Sequence, residues 1–496
     1  MTDAAHKLRF REKAGYSLGD ASANFVFQTL LIFQSYFYTD VFGISASAAA
    51  WLFLLVRFSD AITDPIMGII ADRTETRWGK FRPWILWSAI PFCLMFWLAF
   101  TTPDWGDTAK LFYAYITYIV LMMMYTVNNV PYSALNGVMT ADVDERTSLS
   151  QFRFFAAMAA ALLVQGLVRP LADKFGQGDN QLGWSITMGI FAAVALVFFV
   201  ITFFTTKERV RPPKEQKNSI AADFNDAFTN RPWLTLFFAT LMIFTMLSFR
   251  GGSYSYFFDY YLSQPALADF ARGLGLGAPE GPLNIGQQIL NAFGLLIRDD
   301  NSNAVSVGFG FFNMAGSFIT ILGVLMSKKL SEWFGKRRVF TVSLAATAVA
   351  GILPFFLPAE QVTLHFLVGM LWSLCYGPSI PLLWSMIGDA ADYSEWRNHR
   401  RSTAFVFAGV VFALKAGLGI GGFLGGQVLA AYGYAAGVAQ TETSLLGIRL
   451  SATAYPALAL GLAAVIMLFY PITKDMSHRM QAELIARRQR EASAAT

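Results

Sequence analysis

Apolar runs separated by short polar turns follow one another along almost the whole chain. They lie at about 14–38, 47–71, 83–101, 110–138, 150–170, 183–205, 232–262, 305–326, 338–357, 362–388, 403–432 and 447–473. Each approaches or exceeds the roughly 20 residues a helix needs to cross a bilayer. Helical periodicity inside them is faint, as expected where lipid and other helices surround a helix on every side. The pattern therefore predicts twelve transmembrane helices. Residues 263–304 interrupt it: a stretch rich in glycine and proline is followed by "IGQQILNAFGLLIR", which reads as one amphipathic helix.

Composition agrees. Of the 496 residues 55% are hydrophobic and 14% charged, against about 25% charged in soluble proteins. The class expected is an all-α polytopic membrane protein embedded in a lipid bilayer. The net charge of +5 reports basic loops, so no nucleic-acid partner is expected. Cys93 and Cys375 fall in apolar runs, which argues against a disulfide framework. His6, His365, His399 and His478 have no metal-ligand spacing. The first 13 residues are polar and basic and precede a full-length span, so no cleavable leader is expected. No nucleophile–base pairing or phosphate-cradling glycine loop is visible, so an enzyme, and any cofactor, is not expected.

Lys and Arg set the orientation. The N-terminal tail, the loops after the second, sixth, eighth and tenth spans, and the C-terminal tail are basic, and the loops between are not. Basic loops stay in the cytoplasm, which puts both termini there. "RWGKFRPW" (77–84) follows the second span and "WFGKRRVF" (333–340) follows the eighth. A shared Gly-Lys-x-Arg turn at the same place in each half points to a parallel repeat of six spans. The expected organisation is a bundle at 1–205, a cytoplasmic linker at 206–231, a second bundle at 232–474 with 263–304 inserted outside, and a tail at 475–496. The insertion reads as a tolerated surface loop or as an outer lid over a substrate entrance.

The second span contains Arg57, Asp60 and Asp64. The two aspartates are at i and i+4, on one helix face. A charge at mid-bilayer costs roughly 2.5–3.5 kcal/mol, so such a pair is expected to face a polar cavity. Two close carboxylates share a proton or hold a hard cation. Tyr125, Thr126, Asn128 and Asn129 of "YTVNNVPYSAL" offer further oxygens in the fourth span, where Pro131 could release backbone carbonyls. The plainer alternative is an Arg57 salt bridge with Asp60 or Asp64 that only joins helices.

Other charges fall inside spans: Asp20, Arg153, Arg250, Asp259 and Lys415. Lys415 would suit a countercharge to the aspartates, or a lysine reaching for the surface. Arg250 would suit a uronate carboxylate or a structural pair. Tyr16, Trp372, Tyr376 and Trp384 would suit sugar stacking or packing. Asp389, Asp392 and Glu395 recur every three residues at the end of the tenth span. With Arg338 and Arg401 among the nearby basic residues, they read as a cytoplasmic gate, or as a solvated helix end.

"DAITDPIMGIIADRTETRWGKFRPWIL", "DERTSLSQFRF" and "GDAADYSEW" together resemble the glycoside–pentoside–hexuronide:cation symporter family, the melibiose-permease-like branch of the major facilitator superfamily. The resemblance runs along the chain except for 263–304. It implies a major facilitator fold with a sugar cavity between two six-helix halves, alternating access, and a Na⁺ or H⁺ gradient as the drive. It implies cation ligands at Asp60, Asp64 and Thr126, where Na⁺ would be held if sodium is the coupling ion. It implies sugar contacts at Asp20 and Arg153, and a lysine near both sites at Lys415. Asn129 stands where the family's best-known member has an aspartate, and Ser133 where it has a sugar-stacking tryptophan. One carboxylate and one flat ring are thus missing, which makes H⁺ coupling as plausible as Na⁺.

The function expected is cation-coupled symport of a sugar or glycoside by a monomer in the bacterial inner membrane. Asn129, Tyr125, Arg250, Lys415 and Trp384 join Asp20 and Arg153 as candidate substrate contacts. The alternatives are transport of a lysolipid or other amphiphile, and a non-transporting membrane scaffold or sensor.

Overall fold

The structure is a computed structural model that describes residues 7–140, 142–210, 229–279, 281–398 and 403–495. Most of the expected linker, 211–228, and Arg401 of the expected gate lie outside the described residues. A chain in hydrocarbon must satisfy every backbone amide internally, and helices do this within one segment. Helix accordingly covers each expected run. We number the helices α1 (Phe10–Tyr36), α2 (Ala46–Arg73), α3 (Arg82–Ala99), α4 (Asp107–Met139), α5 (Val143–Gly176), α6 (Asn180–Thr205), α7 (Arg231–Tyr256), α8 (Gln264–Ala271) and α9 (Ile285–Ala292). After these come α10 (Ala304–Phe334), α11 (Lys336–Ile352), α12 (Val362–Tyr376), α13 (Ser379–Asn398), α14 (Thr403–Ala431), α15 (Glu442–Ala452), α16 (Ala454–Met467) and α17 (Lys474–Ala495).

Ten helical segments among the described residues are long and apolar enough to cross a membrane, α12–α13 and α15–α16 each counting as one. Neither α1 nor α2 is among them, although they run for 27 and 28 residues. Both carry charge, Asp20 in α1 and Arg57, Asp60 and Asp64 in α2. The protein is an integral membrane protein on this evidence. The amphipathic helix expected at 285–298 is shorter, ending at Ala292, where Gly294 takes a positive φ of 71° and turns the chain.

The chain divides into two compact units. The first joins Met1–Lys214 with Gly251–Met314 and Phe423–Ile448; the second joins Glu215–Arg250, Ala315–Gly422 and Arg449–Thr496. In the first, α1 packs on α5 and α6, and α4 packs on α2 and α3. In the second, α11 packs on α12, α13 and α16.

The Gly-Lys-x-Arg turns anchor differently. Gly79 has φ +111°, a conformation that L side chains rarely adopt. The turn it makes presents the amides of Lys80, Phe81 and Arg82 to the Glu208 carboxylate at 2.8, 2.8 and 2.9 Å. An anion on the free amides at the start of α3 is favoured by their partial positive charge. Gly335, φ +82°, makes the turn into α11. There the neighbouring residue is Lys474, whose ammonium donates to the Glu332 carbonyl.

Candidate functional site

The expected ion and sugar residues of the first half all lie in the first unit. Asp60 is 1% exposed and accepts from Arg57 Nη1 at 3.0 Å. Asp64, one turn on, accepts from Thr126 Oγ1 of α4 at 2.9 Å. The structure thus contains both the arginine pair and the threonine contact considered from sequence, on different aspartates. The i,i+4 spacing of α2 puts the carboxylates on one face, and α4 brings the hydroxyl to that face. Asn128 is buried and donates to Ser88 Oγ of α3 at 2.9 Å. Asn129 accepts from Ser133 Oγ at 3.2 Å, so the two positions that depart from the family pattern contact each other. Pro131 lies within an unbroken α4.

Asp20 of α1 pairs with Arg153 of α5, Nε to Oδ1 at 3.1 Å. The Arg153 guanidinium also lies 5.3 Å from the centre of the Tyr132 ring. Tyr132 stacks on Tyr16 with centroids 4.6 Å apart. An aromatic base, a guanidinium and a carboxylate are thus held together, with the Arg153 side chain 29% exposed. Tyr125 meets Phe92 edge-on.

The remaining candidates belong to the second unit. The Arg250 guanidinium sits 3.9 Å from the centre of the Trp372 ring, which stacks on Tyr376. Lys415 is half-buried in α14, and Trp384 lies partly exposed on α13. Of the gate residues, Asp389 meets Lys336 of the second Gly-Lys-x-Arg turn, with both carboxylate oxygens 2.8 Å from Nζ. Asp392 and Glu395 are half-buried on the same helix. The Glu395 backbone carbonyl accepts from Arg487 of α17. The Arg338 side chain is exposed and makes no hydrogen bond or ion pair among the described residues.

Of a second polar cluster in the first unit, only Asp259 stood out in the sequence; Asp40, Arg169, Tyr260 and Tyr434 did not. Both α1 and α7 end in a five-residue π-helical turn, Phe37–Val41 and Phe257–Tyr261, each with an aspartate. Such wide turns recur at functional sites. Asp40 accepts from the hydroxyls of Tyr260 and Tyr434, the latter at 2.6 and 2.7 Å. Asp259 accepts both oxygens' worth of hydrogen bonding from Arg169 Nη2, at 2.7 and 3.0 Å. The insertion is fastened beside this cluster: Lys174 donates to the carbonyls of Asn291 and Ala292 at the end of α9, and Arg298 to that of Asp173.

Comparison with known proteins supplies the family. The family described as MFS/sugar transport protein matches residues 15–278 and 296–474, leaving out the middle of the insertion. The putative glycoside/cation symporter YagG of Escherichia coli (strain K12) is 34% identical, with 97% of this chain and 96% of that protein covered. The inner membrane symporter YicJ of the same organism is 36% identical, covering 92% and 91%. The isoprimeverose transporter of Lactiplantibacillus pentosus is 31% identical, covering 95% and 91%. Among solved structures, a bacterial homologue of the human lysosomal transporter Spinster, inward-facing and unoccupied, superposes with a TM-score of 0.62. It is 15% identical, with 94% of this chain and 99% of that one covered, and so speaks for the fold alone. As its resemblance to glycoside–pentoside–hexuronide:cation symporters led us to expect, the chain belongs to the MFS/sugar transport protein family and is a membrane transporter with the major facilitator fold.

Proposed function

We propose that the chain is a secondary active symporter that couples Na⁺ or H⁺ to uptake of a sugar or glycoside by alternating access. The observation that carries this is the pair Asp60 and Asp64, one turn apart on α2, with the Thr126 hydroxyl on Asp64. A carboxylate at membrane depth is costly unless neutralised. Arg57 pairs with Asp60, and the coupling cation binds at Asp64. Thr126 then serves as a neutral oxygen beside the ion, and Asp60 adds a second carboxylate when Arg57 yields it. Sugar hydroxyls bond Asp20 and Arg153, with the Tyr132 ring beneath. Coupling follows because cation and sugar each bind one conformational state better than the other. Nothing is converted chemically. The names of the relatives, glycoside/cation symporter and isoprimeverose transporter, support this solute class. The basic loops support an inner-membrane orientation with both termini in the cytoplasm.

Proteoliposomes in weakly buffered medium test the proposal. Glucosides, galactosides, xylosides and glucuronides are added in turn, with and without Na⁺, while external pH is followed. Alkalinisation that disappears with Asp64→Asn would establish proton symport and name the solute class. Na⁺-driven uptake without a pH change would establish sodium coupling. If no solute moves under either gradient, the symporter reading is wrong and a non-transporting sensor takes its place.

A further inference from the structure

In the second unit the end of α10, the first two turns of α11 and the junction after α16 enclose a groove of about 950 Å³. One wall is apolar. Trp333 and Phe334 are 60% and 55% exposed, and Val342 and Leu468 are also exposed. The other wall is basic: Arg337, Arg338 and Lys474 line it, with Asp475 as its one carboxylate. Arg337 and Lys474 are fixed by donating to the carbonyls of Leu468 and Glu332. The Arg338 side chain is exposed and makes no hydrogen bond or ion pair among the described residues.

We propose that this groove binds an anionic phospholipid, phosphatidylglycerol or cardiolipin, from the cytoplasmic leaflet. The charge count favours an anion: three cations face one carboxylate, a net of two positive charges. The shape of the environment favours a lipid over a soluble anion. Large apolar side chains left exposed beside the cations need acyl chains to cover them, and a Trp at the end of a membrane-crossing helix, as Trp333 is in Ala304–Phe334, is characteristic of a membrane interface. Basic pockets between transmembrane helices on the cytoplasmic side take anionic headgroups. The phosphodiester meets Arg338 and Lys474 while one acyl chain lies over Trp333, Val342 and Leu468. This inference rests on the chain being membrane-embedded with its basic loops inside. It needs neither sugar transport nor cation coupling.

The test is lipid retention by the full-length protein, read by native mass spectrometry after exchange into detergent with defined added lipids. Phosphatidylglycerol and cardiolipin should be retained over phosphatidylcholine and phosphatidylethanolamine. Arg338→Ala should weaken retention about fivefold, and Arg338→Ala with Lys474→Ala more steeply, since each cation near an anionic surface is worth about that factor. Lys207→Ala, an exposed lysine elsewhere, should change nothing and controls for general charge loss. Millimolar inorganic phosphate should not displace the lipid. Equal retention of phosphatidylcholine, equal retention of phosphatidylethanolamine through Asp475, no effect of Arg338→Ala, or displacement by phosphate would each overturn the proposal.

Discussion

Tyr16 and Tyr132 donate to each other's backbone: the Tyr16 hydroxyl to the Tyr132 carbonyl at 3.1 Å, and the Tyr132 hydroxyl to the Tyr16 carbonyl at 2.7 Å. Both side chains are fully buried. The exchange ties α1 to α4 beside the Arg153 guanidinium, which lies 5.3 Å from the Tyr132 ring. The pair of bonds explains why a tyrosine, and not a phenylalanine, stands at each position.

Tyr132→Phe keeps the ring under Arg153 and loses one hydrogen bond between buried groups. It should cost about 0.5–1.5 kcal/mol of stability, seen as a lower unfolding midpoint in detergent, with the apparent KM for sugar little changed. Tyr132→Leu also removes the ring. It should raise KM at least severalfold while leaving the cation dependence intact. An unchanged KM in Tyr132→Leu would remove Tyr132 from the sugar site.

The aspartates on α2 should separate in function because their partners differ. Asp64→Asn is expected to abolish gradient-driven accumulation while exchange of bound sugar persists. Thr126→Val should weaken the cation response, and Thr126→Ser should retain it, because serine keeps the hydroxyl that donates to Asp64. Asp60→Asn leaves the half-buried Arg57 without its carboxylate. It should lower stability as well as coupling, by up to several kcal/mol for a broken buried pair. Arg57→Gln with Asp60→Asn should recover the stability and not the coupling. Midpoints from thermal unfolding, alongside uptake, distinguish the two losses.

Arg169 and Asp259 form a pair with Arg169 6% exposed, well removed from the α2 aspartates in sequence and bridging α5 to the end of α7. With the Tyr434–Asp40 contact it should act as an outer latch. Arg169→Ala should leave the latch open for longer. In a background carrying Cys93→Ser and Cys375→Ser, Ser35→Cys should then react faster with a membrane-impermeant maleimide added from outside. Arg169→Asp with Asp259→Arg should return labelling toward its original rate. Labelling that is indifferent to Arg169 would leave the pair with a purely structural part.

The Arg169–Asp259 pair also shows what the sequence could and could not disclose. Run length alone located the helices, because hydrocarbon permits little else to cross it. Asp60 and Asp64 stood out because a four-residue spacing is local. Arg169 did not, since "VQGLVRP" reads as a span end and its partner lies ninety residues away. Only helix packing creates that contact. Asp40 lies just past the first apolar run, which ends near 38, and a π-helical turn has no compositional signature. Glu208 was hidden in a basic segment, and its part became visible only when the Gly79 turn placed three amides around it.

The Glu208 contact supplies the last prediction. Its carboxylate takes three amides at the start of α3, a position where loss of a capping group costs about 0.5–2 kcal/mol. Glu208→Ala should lower the unfolding midpoint, and Glu208→Gln should do so less, because an amide oxygen still accepts. Gly79→Ala should be worse than either. A Cβ there would overlap the Glu208 carboxyl carbon, on a backbone already at φ +111°, and strain of this kind costs on the order of 1–3 kcal/mol. Combining Gly79→Ala with Glu208→Ala should relieve the clash and leave the backbone strain, so the double variant should fall short of the sum of the two. Full additivity in thermal unfolding would mean that the turn and the carboxylate are not coupled.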